Sequence, residues 1–521
     1  MVGKVSLFVV MSAENIRRVA KNTLFLYVRM FVMMGVTFYT SRVVLNALGV
    51  TDFGIYNVVG GVVAMFSFLT NTFTSATQRF LNYEMGLGNR MRLREIFSMS
   101  ITLNMLIGVL MIIVFEIAGV WFINNKLVIP VERLGAAHWV FQFSLLAMVI
   151  TIITSPYNAV VIANEKMSAF AYISIVEALL KLGVAVVLFF CVSDKLIMYG
   201  VLIFIVTFIV RMIYFVYCKR RFQECQYKFY WDKQLFRSMA TFAGWNMYGN
   251  FSFLMITQGL NMLLNMFFGP IVNASRAIAV QVQSGIQGFA SNFTMAVNPR
   301  ITQDYAQGNK EEVLKLVCGS SKFSCFLLLL ISLPVLLETD VVLKLWLGQV
   351  PEYSIVFVRL VLIQMLIRVL QNPLHTLMHA TGKMKKYQLI DGTLLLLNMP
   401  ISYFLLKGGA DATVVFCVLI ILTFIALLGL LYVINSVTFF SVNFFLRNVF
   451  LRVGEVGVLL GLIIYVFDLL FYDEAYYYMF IRCFVVFVAA VYLIWQIGMV
   501  RSERFLLKGY LHFLVKRFVL K

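Results

Sequence analysis

Within segments apolar enough to lie in a bilayer, this chain carries arginines, amides and histidines at helical spacing. Arg29 stands about seven residues inside the first such segment, with Thr37 and Thr40 turned to a similar side. An arginine at that depth costs several kcal/mol unless it is paired or hydrated. It is therefore either one half of an ion pair, with Glu116, Glu177 or Asp391 as the candidates, or a binding group. Arg42 lies near the far end of the same segment, rotated from Arg29 by about 220°. A straight helix cannot aim both at one place, and Arg42 can snorkel to the interface. Ser67, Asn71, Thr74 and Gln78 fall within about 60° of arc on the second segment. Asn246, Asn250, Thr257 and Asn261 share a face of the seventh, and Arg276, Gln283, Gln287 and Thr294 a face of the eighth. The tenth aligns Gln364, Arg368, Gln371, His375 and His379. Guanidinium forks match phosphate oxygens bidentately, and amides both donate to and accept from sugar hydroxyls. Interhelical hydrogen bonding accounts well for one or two polar residues per helix. Four per helix on paired helices point instead to a hydrated cavity lined by segments one, two, seven and eight. Such a cavity suits an anionic, hydroxyl-rich headgroup whose lipid tail stays in the bilayer.

The remaining charged residues have simpler readings. Lys181 follows Glu177 by one helical turn and pairs with it. Arg211 and Arg359 lie near segment ends, within snorkelling reach of the interface. His375 and His379 stand one turn apart without an acidic third ligand, so they read as a proton-sensitive element or as ordinary packing rather than a metal site. No nucleophile–base pair or metal cluster stands out, and no cofactor is expected.

The elements that position these side chains are membrane helices. Hydrophobic residues make up 61% of the 521, and the mean hydropathy is +0.90. Fourteen segments are candidate spans, the site-bearing ones at 22–48, 53–81, 239–268, 273–298 and 352–380. Nothing alternates at strand period, so the fold class is all-α and polytopic. The net charge of +19 reflects orientation rather than nucleic acid. Lys and Arg gather in alternate loops and are sparse in the others, where Lys126, Arg133, Lys195, Lys344 and Lys407 stand. That asymmetry puts both termini in the cytoplasm. The seven dispersed cysteines form no CxxC and read as buried thiols. No cleavable signal is evident, and Met11 is an alternative start to Met1.

The chain also nearly repeats itself about 220 positions on. Phe73-Thr74-x-Ala76 and Gly88-Asn89-Arg90 return as Phe293-Thr294-x-Ala296 and Gly308-Asn309-Lys310. Ser155-Pro156-x-Asn158 with Lys166-Met167 returns as Asn372-Pro373-x-His375 with Lys383-Met384. A duplicated helix bundle suggests a transporter with its path between the halves. The expected organisation is a six-helix bundle over 1–218, a cytoplasmic linker over 219–238 and a second six-helix bundle over 239–436. Two further helices follow over 437–500, then a basic tail over 501–521 that is either an amphipathic surface helix or disordered.

These features resemble the multidrug/oligosaccharidyl-lipid/polysaccharide exporter superfamily, in its polysaccharide flippase branch. The resemblance rests on Ala20-Lys21-Asn22-Thr23, on Arg42 through Gly49, on Asp52-Phe53-Gly54-Ile55-Tyr56 and on the two proline motifs. It implies two six-helix bundles alternating between inward- and outward-open V shapes in a bacterial inner membrane. It also implies an undecaprenyl-pyrophosphate-linked oligosaccharide as substrate, with Arg29 and Arg276 meeting the pyrophosphate. Arg368, Asn71, Gln78, Asn250, Asn261, Gln283 and Gln287 complete the expected binding set, and His375 and His379 the expected coupling groups. A polysaccharide polymerase and chain-length machinery are possible partners. A drug exporter of the same superfamily is the alternative; it usually carries a membrane acid in span one or seven, and neither has one here. A membrane polymerase or glycosyltransferase needs a larger outer loop than this chain offers.

Overall fold

The computed structural model describes residues 13–125, 129–347, 349–470, 476–500 and 503–504. The alternative start at Met11 and nearly all of the basic tail lie outside them. The described residues form helices and no strand. In chain order these are α1 (Ala13–Met65), α2 (Ser67–Leu87), α3 (Arg90–Val114), α4 (Val120–Asn125), α5 (Leu134–Ala163), α6 (Met167–Val187) and α7 (Lys195–Arg221). Then follow α8 (Lys233–Phe268), α9 (Pro270–Ala306), α10 (Lys310–Leu337), α11 (Thr339–Leu347) and α12 (Ser354–Thr381). The last are α13 (Met384–Lys407), α14 (Val414–Val437), α15 (Val442–Phe445), α16 (Leu451–Leu470) and α17 (Tyr476–Leu493). Eleven helical runs among the described residues are long and apolar enough to cross a membrane. The runs short of that mark include α9 and α1 with α2, which carry much of the polar side-chain complement read from the sequence.

Glycine sets the turn between the first two spans. Helix α1 breaks at Gly49, whose φ of 77° and ψ of 168° belong to a region essentially reserved for glycine. Gly269, 220 positions on, turns α8 into α9 with φ 78° and ψ −168°. The repeat thus extends to a helix end where the glycine recurs but its neighbours do not. A Cβ on Gly269 would meet no atom within 4 Å, so its replacement by Ala tests backbone strain alone. Gly269→Ala is expected to destabilise the fold by about 1–3 kcal/mol, read as a lower midpoint of thermal unfolding in detergent.

The Gly88-Asn89-Arg90 and Gly308-Asn309-Lys310 echoes turn out to be helix caps. Gly88 and Gly308 are left-handed, with φ of 73° and 75°. Asn89 N donates to Glu84 O, and Asn309 N to Asp304 O, closing the same C-terminal motif in each half. The prolines recur for a related reason. Pro156 leaves the Ile152 carbonyl without its usual helical donor. Asn104 supplies one: its Nδ2 donates to Ile152 O and to Ser155 Oγ, both at 3.0 Å. Near Pro373, Ser321 Oγ donates to Leu370 O at 3.1 Å, the carbonyl next to the Val369 one that this proline frees. Asn104→Ala leaves a buried carbonyl unmet and is expected to cost about 1–3 kcal/mol in unfolding experiments.

The expected linker over 219–238 is shorter than the sequence suggests. Helix α7 runs to Arg221 and α8 begins at Lys233, because Asp232 caps it by accepting from Gln234 N at 2.8 Å. The chain forms two compact units, one Lys21–Asn250 and the other Phe251 onward with residues up to Ala20, so the division falls within α8. In the first unit a core of Val59, Ala137, Val140, Phe141 and Ile152 packs α5 against the second arm of α1. Arg133 ties the turns at one end of this unit by bonding Asp52 and Asp194, and Asp194 caps α7. In the second, Tyr353 donates to Asp411, 217 positions after Asp194, at 2.8 Å. Helices α16 and α17 pack on α10 through Phe326, Leu333, Val456 and Val486. Arg482 bridges Glu338 at 2.8 Å and Asp468 at 2.5 Å. All seven cysteines are free, four of them buried and Cys417 exposed.

Candidate functional site

Arg29 sits on α1 with its guanidinium over the Phe170 ring of α6, 4.5 Å from the centroid. Among the described residues no carboxylate is within ion-pair distance of it. Each of the three expected partners is engaged elsewhere. Glu177 holds Lys181 at 2.7 Å, Asp391 holds Arg368 at 2.9 Å, and Glu116 accepts from Gln142 at 3.2 Å. Glu177 and Tyr214 act on Arg29 only through space. An aromatic face holds a cation without cancelling its charge. Arg211 lies 5.9 Å from the Tyr214 ring, so Tyr214 stands near two arginines of the first unit. Position near a span end suggests only snorkelling for Arg211; the neighbour on a third helix that gathers the cluster has no signal in the sequence.

Arg276 of α9 is 5% exposed and turned into its own unit. It donates to Asn261 Oδ1 and, at 2.8 Å, to the Thr257 carbonyl. Both acceptors are neutral, so the guanidinium is oriented while its charge stays whole. The span seven and span eight residues Asn261 and Arg276 are thus brought together through neutral acceptors. Asn250 donates to Thr72 at 2.8 Å, so this amide braces α8 on α2. Asn246 is buried, Asn71 exposed and Gln78 half-buried.

On α9 the expected face is divided. Thr294 is buried and donates to Ala290 O, whereas Gln287 is exposed and Gln283 half-buried. The open polar stripe runs through Gln281, Ser284, Gln287 and Ser291, partway round the helix from the expected line. One azimuth on an ideal helix is covered near both ends and open in the middle, because neighbours rather than helical periodicity decide exposure. A polar stripe exposed on a membrane helix belongs against water or a polar ligand.

The span ten residues form an internal network. Arg368 donates to both Asp391 oxygens, at 2.9 and 3.3 Å, and to Gln371. Gln364 and Gln371 donate to Thr423 Oγ1 and its carbonyl at 3.1 and 2.8 Å. His375 Nδ1 is bonded to Tyr387 OH, and His379 is half-buried one turn on. A guanidinium bound bidentately to a carboxylate that is 5% exposed is committed to holding α12 on α13. Arg42 and Ser67 have side chains outside the description.

The class these helices define is a multi-pass, all-helical membrane protein with the fold of solved MATE transporters. The MatE family model matches residues 247–404. An outward-facing multidrug resistance MATE family transporter of the MOP superfamily superposes with a TM-score of 0.69 at 12% identity, covering 82% of this chain and 98% of that one. A variant of the Vibrio cholerae MATE transporter VcmN gives 0.70 at 14%, covering 81% and 98%. A MOP superfamily transporter from Pyrococcus furiosus, described as having a binding pocket of reversed polarity, gives 0.67 at 12%, covering 80% and 95%. Identities this low speak for the fold alone. Among curated proteins the chain is 21% identical over 320 residues to the uncharacterized membrane protein EpsK of Bacillus subtilis (strain 168). That match covers 60% of this chain and 61% of the relative's length.

Proposed function

We propose that this chain moves a lipid-linked, anionic oligosaccharide across a bacterial inner membrane by alternating access, with both termini cytoplasmic. One observation carries the reading. Arg29 and Arg276 are held by an aromatic ring and by neutral oxygens, not by carboxylates, so each keeps a full charge for a phosphate. The aromatic-braced guanidinium of Arg29 can present a donor edge to pyrophosphate oxygens, and the buried Arg276 would reach them once uncovered as the protein alternates. The exposed amides and hydroxyls of α2 and α9 supply the adaptable donors and acceptors that sugars need. Arg368 is left out of this role, since Asp391 already holds it. His375 and His379 remain the candidates for proton coupling, beside that ion pair.

The second reading is a cation-coupled drug exporter, favoured by the MatE match and by the MATE transporters among the structural neighbours. Cationic drugs would meet two uncancelled arginines, which opposes it electrostatically. Deleting the gene and analysing the lipid-linked intermediates separates the two. Accumulation of a polyprenyl-pyrophosphate oligosaccharide on the cytoplasmic side is expected. Unchanged glycolipid pools with increased sensitivity to cationic drugs would reverse the ranking.

A further inference from the structure

The first unit contains an apolar crevice of about 310 Å³ between α2, α3 and the opening turns of α8. Phe73, Leu103, Leu106, Leu110, Met239 and Ala240 are among its lining residues. Its α3 wall faces outward. The buried residues of α3 cluster from Leu93 to Asn104, after which only Gly108 is buried. Leu106 and Leu110 are 56% and 53% exposed on a run whose mean hydropathy is 2.6, so this edge opens to hydrocarbon. Asn104, the amide in the wall, spends its Nδ2 on Ile152 and Ser155.

Two features narrow the occupant. First, the helix that forms one wall begins with cations. Lys233 precedes the lining Phe236 by three positions, and Arg237 precedes Ala240 by three, one turn nearer the helix start in each case. Both are exposed, and among the described residues neither has a carboxylate within ion-pair distance. The neighbouring Asp232 is engaged elsewhere, by Arg92 at 3.3 Å and by the Gln234 backbone N–H at 2.8 Å. Second, the crevice shares α2 and α8 with the polar residues of the candidate site. Thr72, bonded to Asn250, adjoins Phe73, and Gln78 adjoins the lining Thr77. A ligand with an apolar tail, an anionic junction and a polar head matches that sequence of surfaces.

We infer that this crevice takes the tail of the transported lipid as it enters from the leaflet on the Lys233 side. The inference rests on the proposed lipid-linked substrate. It adds that the tail does not stay wholly in bulk lipid but docks between α3 and α8, which fixes the headgroup's approach to α2. Bulk phospholipid shares the hydrocarbon chemistry and is the competing occupant.

The test uses the full chain in nanodiscs with two photoactivatable probes: a polyprenyl-pyrophosphate oligosaccharide with a diazirine in its tail, and a phosphatidylglycerol with a diazirine in an acyl chain. Labelled peptides are mapped, and flipping of the first probe is measured on the same preparations. The polyprenyl probe is expected to label residues 103–110 and 239–243. Ala240→Trp fills the mouth from an exposed position and should reduce that labelling about tenfold, the equivalent of roughly two methylenes displaced from the wall. Val458→Trp, on an exposed face of α16, should leave it unchanged. Flipping with label spread evenly over the lipid-facing helices, or label at these residues from phosphatidylglycerol alone, overturns the crevice and leaves the transport reading intact. A chain that neither binds nor flips the polyprenyl probe overturns both.

Discussion

Arg29→Ala is expected to abolish transport while the protein still folds and inserts. Among the described residues the side chain makes no ion pair, so its removal strands none of their carboxylates, and the structural loss includes its contact with Phe170. That contact is worth about 0.5–2 kcal/mol. The functional loss is larger. Two charge-assisted hydrogen bonds to a phosphate contribute about 1.5–3 kcal/mol each, which corresponds to a loss of two orders of magnitude or more in substrate handling. Arg29→Lys keeps the charge without the fork and should fall between. Complementation of a strain lacking the gene, with membrane abundance measured alongside, gives the result directly. Full complementation by Arg29→Ala would remove the pyrophosphate role from this residue.

The second large effect runs the other way, through folding. Asp391→Ala strands Arg368 in the interior of the second unit, with Gln371 as its remaining named partner. Removing one member of a buried pair costs about 3–5 kcal/mol, most of it the penalty of the charge left behind. The variant should therefore lose thermal stability and membrane abundance. The double variant Arg368→Met with Asp391→Leu should recover most of both, since neither charge then remains buried. Recovery of folding without recovery of transport would show that the pair also serves function, as its neighbours His375 and Tyr387 suggest. A single variant as stable as the parent would contradict the assignment of this pair as a structural clamp.

The contrast between these two arginines explains what is legible in the residues alone. Period and hydropathy place both in spans and give the helices their order. They cannot say that Asp391, on the next helix, lies within bonding distance of Arg368 while no acid among the described residues reaches Arg29. Partner identity across helices is set by packing, and the helical wheel carries no information about it. The same limit moves the polar stripe on α9, where Arg276 and Thr294 are covered by neighbours and Ser284 and Ser291 are not. Local chemistry is more legible. The link at Gly49 reads as a turn, and the echoes at Gly88 and Gly308 mark caps that only a left-handed residue closes well. The counterparts at the opposite helix ends, Gly269 with Gly49 and Asp411 with Asp194, have too little sequence around them in common to register as a repeat; backbone angles and bonding reveal them. The amide that meets the carbonyl freed by Pro156 comes from 52 positions upstream, at Asn104.

The claim at the centre of this account is that uncancelled arginines select an anionic lipid-linked headgroup. Purified protein in proteoliposomes, given a fluorescent polyprenyl-pyrophosphate oligosaccharide and, separately, a cationic dye, tests it most directly. Flipping of the glycolipid, lost in Arg29→Ala and in Arg276→Ala, with no transport of the dye, is the predicted result. Dye export driven by an ion gradient, with the glycolipid left in its original leaflet, would contradict it.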